Sequence, residues 1–313
     1  MSAFERWYFR DAPPERLAVI RILVGAFATV YAAVRVPDLW KYAAFSDSRF
    51  HPVGISGLLD EPLSPAVWHT LLLLTVPLCL AFTLGWHHKV VAPVAALALL
   101  AVTTYHDSFG QLFHTENLMV LYVIVLAVVP AADALSLDRR RAAARDSNSA
   151  PPAGGPQYGW PAVLLSVLCV LTYMLAGWAK ISNGGWGWVH GDVLRNQIAF
   201  DNVRKAVMGD PYSAIGAFLV RHGWVFAPIA IAALVVELGA PIALLGGKWR
   251  NAWVIGAWLF HAGTVMVMYI TFPFPLSLVA FAPFYEVERI PAWGSRTIGA
   301  WRARRSALAP TGG

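Results

Sequence analysis

Charged residues are scarce in this chain of 313 residues, where Asp, Glu, Lys and Arg together make up 13% of the sequence. Soluble domains contain about 25% charged residues, because they must cover their surface with them. The hydrophobic share is 58% and the mean hydropathy is +0.55, which excludes both a soluble globular enzyme and a disordered chain. The two cysteines are too few for a disulfide scaffold. The composition predicts an integral membrane protein.

Eight segments are apolar and approach the roughly 20 residues that a helix needs to cross a bilayer core about 30 Å thick. They lie at about 17–34, 66–86, 89–106, 112–131, 159–179, 224–246, 251–271 and 273–286. Their apolar runs are continuous rather than alternating, which favours helices over a barrel. Prolines predict that the last segment is broken or tilted. We therefore expect one all-α membrane domain over residues 1–313, a polytopic bundle of about eight transmembrane helices.

The loops predict the orientation of the bundle. With a cytoplasmic N-terminus, fifteen Lys and Arg residues fall on the cytoplasmic side and seven on the other, which favours both termini inside. Residues 138–158, rich in Arg, Pro, Gly and Ser, are predicted to form a flexible cytoplasmic linker. Residues 181–223 are predicted to be a long outer segment along the membrane interface. The basic excess is thus a topology signal, so we expect the lipid bilayer as a partner and no nucleic acid.

Three ionisable residues fall inside predicted spans, where they are expensive and therefore informative. Arg21 either reaches toward the headgroups or forms an internal ion pair. Glu237 and His261 lie on neighbouring spans at similar distances from the turn around 247–250, so a hydrogen bond between them is expected at equal depth. That pair is either a structural polar clasp or part of a proton relay or cofactor contact. Cys79 and Cys169 are expected to be packing residues.

The outer ends of the predicted spans gather further polar residues. His106 and Asp107 end the third span, while His114, Glu116 and Asn117 open the fourth, with His114 and Asn117 on one helix face. Their spacing allows a metal site but favours polar loop caps, and we expect no metal.

The fifth predicted span ends in a distinctive face. Tyr173, Ala176, Gly177 and Lys180 follow the i, i+3, i+4, i+7 pattern of one helix face, and the small residues allow a neighbouring helix or ligand to approach closely. Trp186 and Trp188 follow as an amphipathic rim. By position alone Lys180 is either an anchor in the headgroup region or a functional base.

The stretch from Tyr173 to Ile181, followed by Trp188 and Gly191, resembles the membrane domain of vitamin K-dependent gamma-carboxylase. That domain also occurs in bacteria as the horizontally transferred transmembrane (HTTM) domain family. The resemblance runs from about residue 15 to 286. Its other matching pieces are Leu17–Gly25, Ser136–Asp138 and Phe260-His261.

The resemblance implies a carboxylase-like enzyme of the bacterial inner membrane. In the carboxylase a lysine at the outer membrane surface deprotonates vitamin K hydroquinone; Lys180 matches that lysine, and His261 matches a family histidine. The implied cofactor is a reduced isoprenoid quinone of the vitamin K or menaquinol type, and the implied partner is an exported peptide or protein substrate. The residues expected to bind the cofactor are Tyr173, Gly177, Trp186, Trp188, His114 and Asn117.

Glu237 and Arg21 are expected to serve as structural or proton-relay residues. The 313 residues include no counterpart of the carboxylase's large luminal domain, so quinone-dependent base or redox chemistry is expected rather than glutamate carboxylation. A second class of function stays open, a non-catalytic membrane factor for maturation or assembly of an exported partner. Bound quinone would favour the enzyme, whereas a stable partner complex without cofactor would favour the assembly factor.

Overall fold

The computed structural model describes residues 2–110, 112, 114–146 and 152–290. Within these ranges the chain is helical, apart from turns and one β-bridge between Ala12 and Gly155. The α-helices are α1 (Ala3–Tyr8), α2 (Pro14–Trp40), α3 (Pro65–Leu84), α4 (His88–Asp107), α5 (Asn117–Val128), α6 (Leu137–Arg145), α7 (Pro156–Gly184), α8 (Trp186–Val189), α9 (Asp192–Met208), α10 (Ala214–Leu219), α11 (Phe226–Leu238), α12 (Gly247–Met268) and α13 (Pro273–Leu276). Short 3-10 helices cover Lys41–Ala44, Asp47–Arg49, Gly54–Leu58, Gly223–Val225, Ala240–Leu245 and Val279–Phe284.

Five of these helices are long and apolar enough to cross a membrane: α2 together with the 3-10 turn that follows it, α3, α4, α7 and α12. The expected class, a helical membrane protein, is confirmed. The expected number of eight is not reached within the described residues, because α5 and α11 are apolar but have only 12 and 13 residues.

The predicted helix at 224–246 is too long, because the α-helix ends at Leu238. Pro241 has no N–H to donate, and its ring would clash with the carbonyl of Glu237 in a continued α-helix. The chain therefore continues as the 3-10 helix Ala240–Leu245. The same residues had been predicted as one uninterrupted span.

The predicted helix at 112–131 is also too long. His114 lies before a turn at 115–116, and α5 begins only at Asn117. At its other end Val129 is extended, since a residue that precedes proline, here Pro130, disfavours helical backbone. The predicted last segment is broken as expected, into α13 and the 3-10 helix Val279–Phe284.

The predicted flexible linker 138–158 is helical in part. α6 fills its first third, and α7 already begins at Pro156. The Ser136 side chain accepts a hydrogen bond from the Arg139 N–H at 2.9 Å and so caps α6, and the Ala and Arg residues that follow have high helix propensity. Residues 147–151 of the linker lie outside the described residues.

Helix α7 lies at the centre of the bundle. It packs against α2, α5 and α11 and against the 3-10 helices Ala240–Leu245 and Val279–Phe284. The main hydrophobic core gathers around it, with Cys169 and Tyr173 from α7 and Tyr122 from α5 all buried. Cys79 and Cys169 are free and buried, as expected for packing residues.

The predicted outer segment 181–223 is largely helical, because α7 continues to Gly184 and is followed by α8, α9 and α10. The segment is fixed to the end of α12 at two points: Lys205 Nζ on α9 donates to the Met268 carbonyl at 2.6 Å, and Ser213 Oγ, just before α10, donates to the Met266 carbonyl at 2.6 Å. Large apolar side chains on the segment stay exposed: Trp186, Phe200, Val203, Val207, Met208, Tyr212, Phe218 and Trp224.

Candidate functional site

The face of α7 that the sequence singled out is the contact face toward α11. A Cβ atom on Gly177 would lie 2.9 Å from Glu237 Cβ and 3.0 Å from Leu238 Cδ2. Cβ atoms in proteins rarely come this close to other heavy atoms, so the absence of a side chain at Gly177 lets α7 and α11 approach each other. The close approach expected at Gly177 is therefore present, and the element that packs against this glycine is α11.

Lys180 forms an ion pair with Glu237, whose Oε1 accepts a hydrogen bond from Nζ. The Lys180 side chain is 22% exposed and that of Glu237 is 3% exposed. Nζ also lies 5.4 Å from the ring centroid of Trp188 and 6.0 Å from that of Phe260, at distances where an aromatic face attracts a cation. Lys180 is thus tied into the protein rather than extended toward headgroups.

Tyr173 and His261 form the second contact of the site, about two helical turns deeper along α7 than Lys180. The Tyr173 hydroxyl and His261 Nε2 are 2.7 Å apart, and both side chains are buried. Tyr173 also meets Trp253 edge to face at 5.0 Å between ring centroids. The His261 ring lies 4.9 Å from Phe272.

The expected hydrogen bond between Glu237 and His261 is wrong, because each has a different partner on α7. The expectation assumed that both residues lie on regular α-helices that leave one short turn. Residues Ala240–Leu245 form a 3-10 helix instead, which has 3.0 rather than 3.6 residues per turn and a longer rise. This change rotates Glu237 to face Gly177 and Lys180 on α7.

Two polar atoms of this site have no hydrogen-bond partner among the described residues. They are Glu237 Oε2 and His261 Nδ1, and both atoms are buried. The other atom of each group is taken, Oε1 by Lys180 and Nε2 by Tyr173. Since nearly all buried polar atoms in native proteins have a partner, the site has two unused positions for hydrogen bonds.

Other predicted site residues contribute unequally. His114 is exposed, but its ring lies 5.5 Å from Phe272, which also contacts His261. Trp186 is 75% exposed and stacks on His190, with 6.3 Å between ring centroids. Asn117 is exposed at the first position of α5. The structure brings neither Trp186 nor Asn117 into the described contacts of Lys180, Glu237, Tyr173 and His261.

Arg21 lies at the opposite end of the bundle and is fully buried. Its guanidinium donates to three carbonyls, those of Thr83 at 3.3 Å, Ala131 at 2.6 Å and Leu135 at 2.7 Å. Neither of the two contacts considered for Arg21 is found among the described residues, because the side chain is fully buried and its guanidinium contacts carbonyls rather than a carboxylate. Arg21 stabilises the loops that join the helices.

Two of the sequence pieces behind the family resemblance meet around this arginine. A Cβ on Gly85 would lie 2.6 Å from Ser136 Cβ and 3.0 Å from Arg21 Nη1, and Gly85 has a left-handed φ of +61°. Asp138 accepts hydrogen bonds from the backbone N–H groups of His87 at 2.8 Å and His88 at 2.7 Å. These matching residues therefore hold this end of the bundle together.

The polar residues expected as loop caps form a separate cluster. The Tyr31 hydroxyl and the Thr115 hydroxyl both donate to the Glu116 carboxylate, and Arg35 Nη2 lies 3.4 Å from His106 Nε2. Among the described residues no group of three His, Cys, Asp or Glu side chains is placed to hold a metal ion. The polar-cap interpretation fits this cluster.

Sequence reasoning missed the Lys180–Glu237 pair and the aromatic residues Phe260 and Phe272. A signal existed for the pair, because Lys180 directly follows one predicted span and Glu237, of opposite charge, lies inside the next. No sequence signal indicated Phe272, which follows the left-handed turn at Tyr269 and returns beside His261.

Comparison with known proteins gives the family. The family model of the HTTM domain matches residues 9–288. Searches of curated proteins and of solved structures find no match. The match includes every residue of the Lys180 site and of the Arg21 cluster, and it covers most of the sequence. This chain belongs to the HTTM domain family.

Proposed function

We propose that this protein is a membrane enzyme, related to the membrane domain of gamma-carboxylase, that binds a reduced isoprenoid quinone and uses Lys180 as a base. The observation that carries the proposal is a pair of buried polar atoms, Glu237 Oε2 and His261 Nδ1, that have no hydrogen-bond partner among the described residues. They lie in the same site as Lys180, whose side chain is partly exposed. Ionisable residues inside a membrane segment mark functional sites in most membrane proteins.

The side chains fit a quinol. Its two hydroxyl groups stand on opposite edges of one ring, so one molecule can offer hydrogen bonds in two directions. Glu237 Oε2 accepts such a bond, and His261 Nδ1 accepts or donates one according to its tautomer. The rings of Trp188 and Phe260 near Lys180 Nζ, and that of Phe272 near the His261 ring, offer faces for an aromatic ligand.

The ion pair between Lys180 and Glu237 supplies a base in surroundings of low dielectric constant. Moving one proton from Lys180 Nζ to Glu237 Oε1 leaves a neutral amine, which is the form that accepts a proton. Tyr173 fixes the ring of His261 through Nε2 and leaves Nδ1 available. When bound, a reduced quinone would supply a hydroxyl proton and two electrons. An exported peptide or protein is the proposed substrate.

The proposed topology has eight membrane segments in the bacterial inner membrane, with both termini in the cytoplasm. In this arrangement α5, the stretch from α11 through Ala240–Leu245, and the broken segment 273–286 complete the five long helices. Lys180 then lies near the outer face and Arg21 near the inner face. With the native cysteines buried, single cysteines at the exposed positions Ala143 and Ser182 test this topology: an impermeant reagent should label Ser182→Cys in intact cells and leave Ala143→Cys unlabelled.

A mass spectrum of lipids extracted from the gently purified protein tests the quinone proposal. The expected result is quinone in the wild-type extract and a strong decrease in Glu237→Gln and His261→Ala. The matched control is Lys41→Met, which removes a lysine whose side chain is 71% exposed, and its quinone content should equal that of the wild type. A stable complex with an exported protein and no quinone would contradict the proposal and favour an assembly factor.

A further inference from the structure

A cleft lies at the end of the bundle opposite to Lys180, where α7 and α12 begin. It is a small open cleft with a volume of about 50 Å³, and its lining includes Arg10 and Arg250. The remaining walls are largely apolar and include Trp7, Val163, Leu244 and Phe284. No residue of this cleft belongs to the Lys180 site.

The backbone around Arg10 is fixed against α7. A Cβ on Gly159 would lie 1.6 Å from the Arg10 carbonyl oxygen, so only glycine permits this contact. Two residues later, Ala12 and Gly155 exchange backbone hydrogen bonds of 3.2 and 3.0 Å. Arg10 therefore stands at a defined place rather than on a loose terminal segment.

Arg250 is held in place as well. Its Nη1 donates to the Phe284 carbonyl at 2.9 Å, its Nε donates to Asn251 Oδ1 at 3.2 Å, and its guanidinium carbon lies 4.2 Å from the ring centroid of Tyr285. Nη2 has no hydrogen-bond partner among the described residues. A preorganised guanidinium with free donors is suited to a planar or tetrahedral oxyanion.

Among the described residues, the positive charge of the cleft is only partly balanced by carboxylates. Of the nearby carboxylates, Glu288 pairs with Arg16, whose Nε donates to it at 3.0 Å, and Glu286 pairs with Arg289. Arg10 has no hydrogen bond or ion pair within the described ranges, and the residues outside them include no Asp or Glu. Burial is the largest cause that lowers the pKa of Arg10 below its usual value, and the positive charges of Arg16 and Arg250 act in the same direction, while Glu286 and Glu288 oppose them.

We propose that the cleft between Arg10 and Arg250 binds the phosphate group of an anionic phospholipid. Guanidinium groups bind phosphate through paired, charge-assisted hydrogen bonds, and the apolar walls provide a surface for the acyl chains. Exposed aromatic residues of the N-terminal segment, Phe4 and Phe9, are typical of segments that lie along a membrane interface. Basic pockets between transmembrane helices hold anionic headgroups in this manner.

Delipidated protein in neutral detergent tests the inference through the shift of its unfolding temperature. Phosphatidylglycerol should stabilise the wild type more than phosphatidylcholine at equal concentration. Arg10→Gln and Arg250→Gln should each weaken the apparent affinity for phosphatidylglycerol about fivefold. Arg10→Lys keeps the charge and should retain most of the effect. The control Arg221→Gln removes an exposed arginine outside the cleft and should leave the shift unchanged.

A measurement with inorganic phosphate distinguishes a phospholipid headgroup from free phosphate as the ligand of the cleft. If phosphate alone reproduces the stabilisation and both Gln variants lose it, the anion site is confirmed and free phosphate is its ligand. An equal response to the two lipids in the wild type, or an unchanged response in both Gln variants, would overturn the inference. Because Arg10→Lys and the single Gln variants are compared without ligand first, a folding defect is recognised separately.

Discussion

Arg21 and Lys180 are two cations near opposite ends of the same bundle, and their surroundings differ. Arg21 is fully buried, and its guanidinium donates to three carbonyls. Lys180 is paired with Glu237, but that carboxylate keeps one buried oxygen without a partner among the described residues. A complete set of hydrogen bonds is what a structural role requires, whereas unused buried positions cost free energy unless a ligand fills them. The difference separates a structural cation from a candidate catalytic one.

The largest expected effect is on stability, in Arg21→Met. The substitution keeps most of the apolar side chain but leaves three carbonyls without their donor, in two cases at a buried contact, which should lower the free energy of unfolding by on the order of 3–5 kcal/mol. Denaturant unfolding in detergent measures it, with Arg221→Met as the exposed control. A loss no larger than that of the control would show that Arg21 is not structural.

Gly177 offers a matched pair of glycine substitutions. Gly177→Ala forces α7 away from Glu237 and Leu238 and should cost about 1–3 kcal/mol through overpacking. Gly263→Ala in α12, where an added Cβ meets nothing within 4 Å, should instead stabilise by about 0.5–1 kcal/mol through helix propensity. Thermal unfolding of both variants compares them. Equal effects would contradict the close approach of α7 and α11.

Double-mutant cycles separate the two contacts of the Lys180 site. Lys180→Met with Glu237→Gln should show a coupling energy between about 0.5 and 3 kcal/mol, because the residues touch. Glu237→Gln with His261→Ala should be additive within about 0.5 kcal/mol, because each has its own partner. Unfolding free energies of the single and double variants give both values. Strong coupling between Glu237 and His261 would restore the direct contact that the sequence suggested.

These contacts show what sequence periodicity predicts well and what it misses. The face of α7 with Tyr173, Gly177 and Lys180 follows from regular helix spacing, because α7 is an uninterrupted helix. The partner of Glu237 does not follow, since the 3-10 helix after Leu238 changes the direction in which Glu237 points. The contacts of Arg21 do not follow from the sequence for a different reason: its acceptors are one carbonyl in the last turn of α3 and two in the loop between α5 and α6, and hydropathy carries no information about these distant partners.

The smallest expected effect concerns the outer segment. Asp201 on α9 forms an ion pair with Lys205 at 2.7 Å; although burial raises the pKa of Asp201, its hydrogen bonds to Lys205 and Arg204 outweigh that and hold the pKa below its usual value. The pair then stabilises the fold above the unfolded pKa near about 3.9, and the contribution disappears as pH falls through the folded pKa. Asp201→Asn should lose about 0.5–1 kcal/mol at neutral pH.

The pH dependence checks this assignment. The difference in unfolding temperature between wild type and Asp201→Asn should shrink below about pH 4. Asp210→Asn changes an exposed side chain just after α9. It is the control, and its unfolding temperature should differ little from that of the wild type at neutral or acidic pH. A difference that grows on acidification would contradict the ion pair.

The activity of Lys180→Arg tests the central claim most directly. Arginine keeps the positive charge beside Glu237 but supplies no neutral base near neutral pH. At wild-type expression and unfolding temperature, we expect quinol-dependent activity, or genetic complementation, to fall by at least about 100-fold. Arg21→Lys should give the reverse result, a less stable protein whose folded fraction is active. Full activity of Lys180→Arg at normal expression would contradict the account, because Lys180 would then be a structural cation like Arg21.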